Sequence, residues 1–181
     1  DIVKGMYPFR KAAKSKGPRV QLLGSGTIFR EVIAAADLLR KDWGVEADLW
    51  GCPSFNELAR NGQDVQRWNL LHPLEAPKLS HVEKKLKDAK GPVIAATDYI
   101  RMFPEQIRPF VKAPYVTLGT DGFGRSDTRE KLRHFFEVDR HWVTLAALKA
   151  LADNGEIERE KVASALVKYN LDPNKPNPLS V

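Results

Sequence analysis

The stretch VQLLGSGTIFREVIAAADLLRKDWGVEADLW, residues 20–50, decides the fold class of this chain. A short apolar run, Val20–Leu23, predicts a strand that ends at Gly24-Ser25-Gly26. Helical periodicity follows, with apolar residues on one face at Ile28, Val32, Ala35, Ala36 and Leu39. Gly44 ends this helix, and Glu46–Trp50 predicts a second strand. Strand, helix and strand in this order predict a right-handed βαβ unit and therefore parallel strands.

Two more apolar runs predict further strands, at Val93–Ala96 and Tyr115–Leu118. The segment around Gly5–Phe9 can add an edge strand, where its proline is tolerated. Because these strands alternate with helical segments, the fold class is α/β, with three layers around a mostly parallel sheet.

Capping residues and glycines predict where the other helices begin and end. Ser54 and Glu57 have capping-box spacing for a helix ending at Asn61-Gly62, and Asp127 and Glu130 have it for a helix through Phe136. Asp98 is the predicted cap of the helical residues 99–108, which are broken near a proline. The remaining predicted helices are 79–89, 140–153 with Asp139 as its cap, and 158–169.

Three parts are distinguished along the chain: a basic leading segment (1–19), one globular domain (20–171) and a proline-rich tail (172–181). The leading segment has six basic residues against one acidic residue, a net charge of +5. Such an arm could meet nucleic acid or an acidic partner, but we favour a solvated linker from a preceding domain. No apolar run in the chain approaches the length of a membrane span. The chain opens without a methionine or a signal peptide, so we expect a piece of a longer protein.

The single cysteine, Cys52, cannot form an internal disulfide, which favours a reducing, cytoplasmic location. We expect it to be a small, half-buried residue at a strand end rather than a reactive thiol. The four histidines lack metal-ligand spacing and are expected at the surface or at helix ends: His72, His81, His134 and His141. We therefore assign no metal site.

The turn Gly24-Ser25-Gly26 lies between a strand and a helix, where backbone N–H groups can hold phosphate. A dinucleotide fingerprint needs a third glycine, and Phe29 occupies that position. Asp48, the candidate ribose-binding acid, lies inside a strand rather than at its end. We interpret the turn as one that directs the helix, and keep a Rossmann-like nucleotide-binding module as the alternative.

The loop Gly122-Phe123-Gly124, followed by Arg125, Ser126 and Asp127, is the most function-like stretch. Glycines permit close approach of backbone, and an arginine beside a helix N-terminus can hold an anion. The same features suit a rigid connection whose arginine ties two domains together, which is the interpretation that we favour.

Several blocks carry a family resemblance. They are VQLLGSG (20–26), SFNELARNGQDVQRWNLLHPLE (54–75), ATDY (96–99), GTDGFGRSDTREKLRHFFEVD (119–139) and NLDPNKPNP (170–178). They resemble the C-terminal region of homodimeric pyruvate dehydrogenases, a family of transketolase-like thiamine diphosphate enzymes. The resemblance extends over nearly the whole chain, and the block 119–139 is long and specific.

The resemblance implies a transketolase C-terminal-type fold, with a five-stranded mixed sheet and one antiparallel strand. It implies a full-length homodimeric enzyme that decarboxylates pyruvate with thiamine diphosphate and magnesium, then acetylates the lipoyl group of the dihydrolipoyl acetyltransferase component. Catalytic and cofactor-binding residues belong to the preceding domains of that family, so no catalytic, cofactor-binding or metal residue is assigned here. The C-terminal domain of another transketolase-family enzyme remains an alternative.

We therefore expect a non-catalytic domain that makes contacts with preceding domains and between subunits. The candidate contact residues are Asp121, Phe123, Arg125, Ser126 and Asp127, with a weaker second set at Arg60, Asp64 and Arg67. Neither nucleic acid nor a membrane is an expected partner. Whether the basic segment or the domain surface binds the acetyltransferase component is left open by the sequence, as are the organism, the oligomeric state of the isolated domain, the substrate selectivity and any allosteric effector.

Overall fold

The computed structural model of the chain describes residues 1–181. Five strands form one sheet in the order β1-β3-β2-β4-β5. They are β1 (Tyr7–Arg10), β2 (Arg19–Gly24), β3 (Glu46–Gly51), β4 (Val93–Ala96) and β5 (Tyr115–Leu118). Strands β2 to β5 run parallel, whereas β1 pairs with β3 in the antiparallel direction. The predicted five-stranded, mostly parallel mixed sheet is confirmed.

Seven α-helices cover both faces of the sheet, which gives the predicted three layers. Helices α1, α6 and α7 pack on one face, and α2, α3 and α4 lie on the other. Helix α5 follows the loop after β5 and lies near α1 and α6. The helices are α1 (Phe29–Trp43), α2 (Phe55–Leu71), α3 (His81–Leu86), α4 (Met102–Glu105), α5 (Arg129–Phe135), α6 (Arg140–Asp153) and α7 (Arg159–Lys168).

Helix α1 follows the predicted pattern, because its apolar face is buried against the sheet and against α6. Gly44 ends it in the left-handed region, with φ 65°, and its N–H bonds the carbonyl of Arg40. Such a conformation suits glycine, which has no Cβ to clash.

Helix α2 does not end at Gly62, contrary to the sequence prediction, but continues to Leu71. Gly62 is buried within the helix, and a Cβ on it would lie 2.2 Å from the ring of Phe110. This glycine therefore serves close packing rather than helix termination. Ser54 caps α2 by accepting a hydrogen bond from the Glu57 N–H at 3.1 Å.

Three other helix boundaries differ from the sequence predictions. Helix α3 covers only His81–Leu86, and Ser80 with Glu83 forms its capping box. Asp98 does not cap a helix, since α4 begins at Met102; its carboxylate accepts a hydrogen bond from Thr27 instead. Helix α5 is capped by Thr128 rather than by Asp127, whose carboxylate accepts from the Thr128 N–H.

Glu31 on α1 holds α5 and α6 in place through a partly buried ion cluster. One of its oxygens accepts from Arg133 at 3.0 Å, and the other accepts from the Arg140 Nε at 2.9 Å. Burial alone raises the pKa of Glu31, but the hydrogen bonds and charges of the two arginines outweigh it, so the pKa lies below its ordinary value.

The leading segment and the tail both pack on the domain. Arg10 pairs with Asp37, and Arg19 pairs with Asp48, so two of the six cations of the leading segment are neutralised within the chain. In the tail, Pro178 is buried, as is Leu171 just before it. The tail lacks regular structure but lies against the domain.

Candidate functional site

Three parallel strands end at one edge of the sheet, and the turns that follow them form the candidate site. The hydroxyls of Ser25, after β2, and Thr97, after β4, are buried and hydrogen-bonded at 2.8 Å. Thr120, after β5, donates its hydroxyl to the carbonyl of Asp98 at 2.8 Å. Ligands and partners of open α/β sheets commonly meet this carboxyl edge.

The loop after β5 is fixed to the segment after β4 by Arg101 and Asp121. One oxygen of Asp121 accepts from both the backbone N–H and the Nε of Arg101, at 3.1 and 2.9 Å. The Thr120 N–H also donates to the carbonyl of Tyr99 at 2.9 Å. Asp121 is therefore the residue that holds the base of the predicted contact loop.

The tip of this loop presents its side chains to solvent. Phe123 and Ser126 are exposed, and the guanidinium of Arg125 lies 4.8 Å from the centre of the Phe135 ring. Asp127 bonds the Thr128 N–H and lies 3.8 Å from the Lys131 ammonium. The structure thus brings all five predicted loop residues together on one exposed segment.

The C-terminal tail packs against the loop after β5. Gly122 has φ +107°, and a Cβ on it would lie 2.2 Å from the carbonyl oxygen of Pro178. The tail is anchored by Lys175, whose ammonium donates to the Phe135 carbonyl at 2.8 Å and to Glu137 at 3.0 Å. No sequence pattern links Gly122 to Pro178, because they are far apart in the chain.

A cleft of about 530 Å³ opens beside the loop. Its lining mixes two carboxylates, Asp98 and Asp127, with three arginines, Arg125, Arg129 and Arg133. The Asp98 carboxylate already accepts a hydrogen bond from the Thr27 hydroxyl, and Arg133 forms an ion pair with Glu31. The free cationic groups at the cleft are therefore Arg125 and Arg129, neither of which forms an ion pair.

A larger cleft of about 1100 Å³ lies between α1, α5 and α6. Its charged side chains are mostly paired with one another, as in the Glu31 cluster and in the contact of His134 with Asp139 at 3.1 Å. These pairs stabilise helix packing and leave little unpaired charge for a ligand.

The turn Gly24-Ser25-Gly26 joins β2 to α1, at the place where the sequence predicts a turn that directs the helix. A Cβ on Gly24 would lie 2.6 Å from the Phe29 ring, so the glycine accommodates that side chain. Asp48 lies within β3, where it accepts from Arg19 and Gln21. Its carboxylate is thereby occupied inside the sheet.

The other reactive residue types are held in structural contacts. Cys52 is fully buried rather than half-buried, and burial raises the pKa of its thiol. His81 is buried at the first position of α3, a helix end as the sequence analysis allowed, and its Nε2 lies 2.9 Å from the Met6 carbonyl. No group of three or more His, Cys, Asp or Glu side chains is placed to hold a metal ion, and no helix is long and apolar enough to cross a bilayer.

Residues 5–139 match the family model described as the transketolase-like TK C-terminal domain. This match covers well over half of the chain. The chain belongs to this family.

Curated relatives place the transketolase-like domain in a narrower group. It is 79% identical over its whole length to "Pyruvate dehydrogenase E1 component" from Cupriavidus necator and spans 20% of that protein. It is 53% identical, over 98% of its length, to the protein of the same name from Escherichia coli K12, again spanning 20%. The chain thus spans about a fifth of the length of these relatives.

Solved structures agree with the fold. The transketolase of Campylobacter jejuni matches with a TM-score of 0.53 at 19% identity, over 82% of this chain and 19% of that chain. At this identity, the likeness concerns the fold alone.

The second predicted contact set lies apart from the loop of the transketolase-like domain. Arg60, Asp64 and Arg67 are exposed on α2, and Arg60 pairs with Glu57 at 3.0 Å. No hydrogen bond or ion pair joins these three residues to the residues 119–127. The structure therefore shows no direct bond between the two sets.

Sequence reasoning missed the residues that support the loop, above all Arg101, Lys175 and Pro178. Arg101 carries no motif in the sequence, and the composition of the tail predicts only a proline-rich segment. Only the spacing of Gly122 and Gly124 indicated that some backbone approaches this loop closely.

Proposed function

We propose that this chain is a domain of a homodimeric, cytoplasmic pyruvate dehydrogenase and that it contributes to assembly rather than to the chemical step. The observation that carries the proposal is the 79% identity, over the whole chain, to the Cupriavidus protein of that name. In this proposal the activity belongs to a polypeptide about five times longer than these 181 residues.

The complete enzyme would decarboxylate pyruvate with thiamine diphosphate and magnesium and pass the acetyl unit to the lipoyl group of the acetyltransferase component. The donor set of this chain does not fit that cofactor. At the carboxyl edge, Asp98, Asp121 and Asp127 each accept from a neighbouring protein group and do not converge on one point with other ligands. We therefore assign the cofactor to the remaining polypeptide.

The assembly role is assigned to the loop residues Asp121, Phe123, Arg125, Ser126 and Asp127. Asp121 fixes the base of the loop, and Phe123 and Arg125 are exposed at its tip. An arginine held over an aromatic ring keeps its N–H groups free to bind a carboxylate of a neighbouring domain. Arg60, Asp64 and Arg67 on α2 form a second, separate contact in the proposal.

The test compares full-length enzyme with variants of this domain, using pyruvate, thiamine diphosphate and magnesium. We expect full-length enzyme to turn over pyruvate and the 181-residue chain alone to be inert. Arg125→Ala in full-length enzyme is expected to weaken dimerisation or turnover by about tenfold, the loss of one charged contact. Arg159→Ala, an exposed arginine at the start of α7, is the matched control. Turnover by the isolated chain, or an Arg125→Ala enzyme that equals the control, would contradict the proposal.

A further inference from the structure

Six of the thirteen large apolar side chains that are exposed lie on three segments at the carboxyl edge of the sheet: residues 98–103, 119–127 and 177–181. We call these segments together the carboxyl-edge surface. We infer that this surface is buried against an apolar, carboxylate-bordered surface in the remaining polypeptide of the enzyme, in the same or the partner subunit. This inference rests on the proposed function and extends the contact well beyond the loop.

Large apolar side chains are exposed on this surface. Phe123 is 76% exposed, Met102 69% and Tyr99 63%, while Ile100 and Leu179 are each more than two-fifths exposed. Single exposed apolar residues are ordinary, but a continuous group of them marks an interaction site. Aromatic residues, methionine and arginine are the types enriched at protein interfaces, and all three occur here.

The three segments are joined to one another and form one surface. Arg101 and Asp121 join the first two segments, as does the bond from the Thr120 N–H to the Tyr99 carbonyl. The tail joins them at Pro178, whose carbonyl packs against Gly122. Tyr99 and Phe103 also pack on each other, with ring centres 5.3 Å apart.

The carboxyl-edge surface is held in place by the domain beneath it. The base of the loop is held by hydrogen bonds, Pro178 is buried, and Lys175 anchors the tail to the domain. A surface that is already ordered loses little entropy when it binds, which is what a permanent contact within an enzyme requires. Nucleic acid is disfavoured because the surface carries one unpaired arginine, Arg125, and is bordered by a second, Arg129, which is too little positive charge to hold a phosphate backbone.

The charge of the carboxyl-edge surface and the length of the relatives indicate what covers this surface. Asp98 and Asp127 also line the cleft, yet Arg125 and Arg129 form no ion pair with them, so the surface that covers the two arginines should supply a carboxylate. The relatives are about five times longer than this chain, and the additional polypeptide is permanently available at high effective concentration. These two observations favour the remaining polypeptide over a separate protein.

Methionine oxidation tests the contact in full-length enzyme. The chain has two methionines, Met6, which is fully buried, and Met102. If the carboxyl-edge surface is covered, hydrogen peroxide should oxidise Met102 about tenfold more slowly than the new methionine in a Val167→Met variant, because oxidation follows exposure. Val167 lies on α7 and is 83% exposed. Equal oxidation rates at the two positions would overturn the inference.

A photo-reactive benzoylphenylalanine in place of Phe123 identifies the occupant. We expect it to cross-link to a peptide outside these 181 residues, while the same substitution at Val167 should not. Cross-links to a second copy of this domain, or none at all, would overturn the assignment. Failure of this inference is distinguishable from failure of the proposed function. An enzyme that is active on pyruvate but has a rapidly oxidised Met102 refutes only the burial of the carboxyl-edge surface. An enzyme that is inactive on pyruvate but has a protected Met102 refutes only the proposed activity.

Discussion

A single carboxylate oxygen of Asp121 accepts two hydrogen bonds from Arg101, one from its backbone N–H at 3.1 Å and one from its Nε at 2.9 Å. The two residues belong to loops that follow adjacent strands, β4 and β5. The pair therefore couples two segments of the carboxyl edge and fixes the direction in which the loop 119–127 leaves the sheet.

Removing this carboxylate should loosen the loop. We expect Asp121→Ala to cost about 1 kcal/mol of unfolding free energy, the usual worth of such bonds when the partners are partly solvated. Backbone amides of residues 119–124 should also exchange hydrogen faster. Urea unfolding and hydrogen exchange measure the two effects. Asp64→Ala, an exposed and unpaired carboxylate on α2, should change neither, and an equal effect of both variants would refute the role given to Asp121.

Gly122 should not tolerate a side chain. Gly122→Ala places a methyl group where the Pro178 carbonyl lies and requires a φ that L residues rarely adopt. We expect a loss of about 1–3 kcal/mol in unfolding free energy and displacement of the tail. Gly124→Ala is the matched control, since nothing lies within 4 Å of its Cβ position, and it should be neutral or slightly stabilising. A neutral Gly122→Ala would show that the tail does not pack there.

Glu31→Gln should destabilise the protein, because it leaves Arg133 and Arg140 without their anion. We expect the unfolding free energy to fall by about 2–3 kcal/mol at pH 7. This loss is smaller than that for breaking a fully buried ion pair, because Arg140 is partly solvated. Since the pKa of Glu31 is lower in the folded state, its stabilisation is present above its ordinary pKa of 4.5 and lost as the pH falls through the lowered value.

Urea unfolding of wild type and Glu31→Gln from pH 7 down to pH 3 measures this dependence. The difference between the two proteins should shrink on acidification. Glu130→Gln, an exposed carboxylate on α5, is the control and should have almost no effect at any pH. A difference that is constant with pH would mean that shape rather than charge accounts for the role of Glu31.

Gly62→Ala should be destabilising even though alanine is the better helix former. Its methyl group would overlap the Phe110 ring, and overpacking of this kind costs about 1–3 kcal/mol, more than the roughly 1 kcal/mol gained in helix propensity. Gln63→Ala, at an exposed position of the same helix, should be neutral or stabilising. Thermal unfolding of both variants checks the sign, and a Gly62→Ala protein more stable than wild type would contradict the packing described for Phe110.

The sequence by itself determined the elements whose signals are local. Strand β2, helix α1 and strand β3 follow from apolar periodicity, and the ends of α1 and α6 follow from Gly44 and Asp139. The parallel sheet follows as well, because a strand, a helix and a strand of these lengths can pack compactly in few ways. The five loop residues were likewise found as one segment, since they are neighbours in the chain.

Tertiary structure alone decided the features that depend on residues distant in sequence. Because glycine often ends a helix, the sequence predicts a helix end at Gly62. In the structure, the ring of Phe110, 48 positions later in the chain, packs against Gly62 in the interior of the helix. Burial of Pro178 beneath Gly122 and the bond between Arg101 and Asp121 leave no periodic pattern in the chain. The physical reason is that propensity and periodicity act over a few residues, whereas close packing is set by whichever side chains the folded backbone brings into contact.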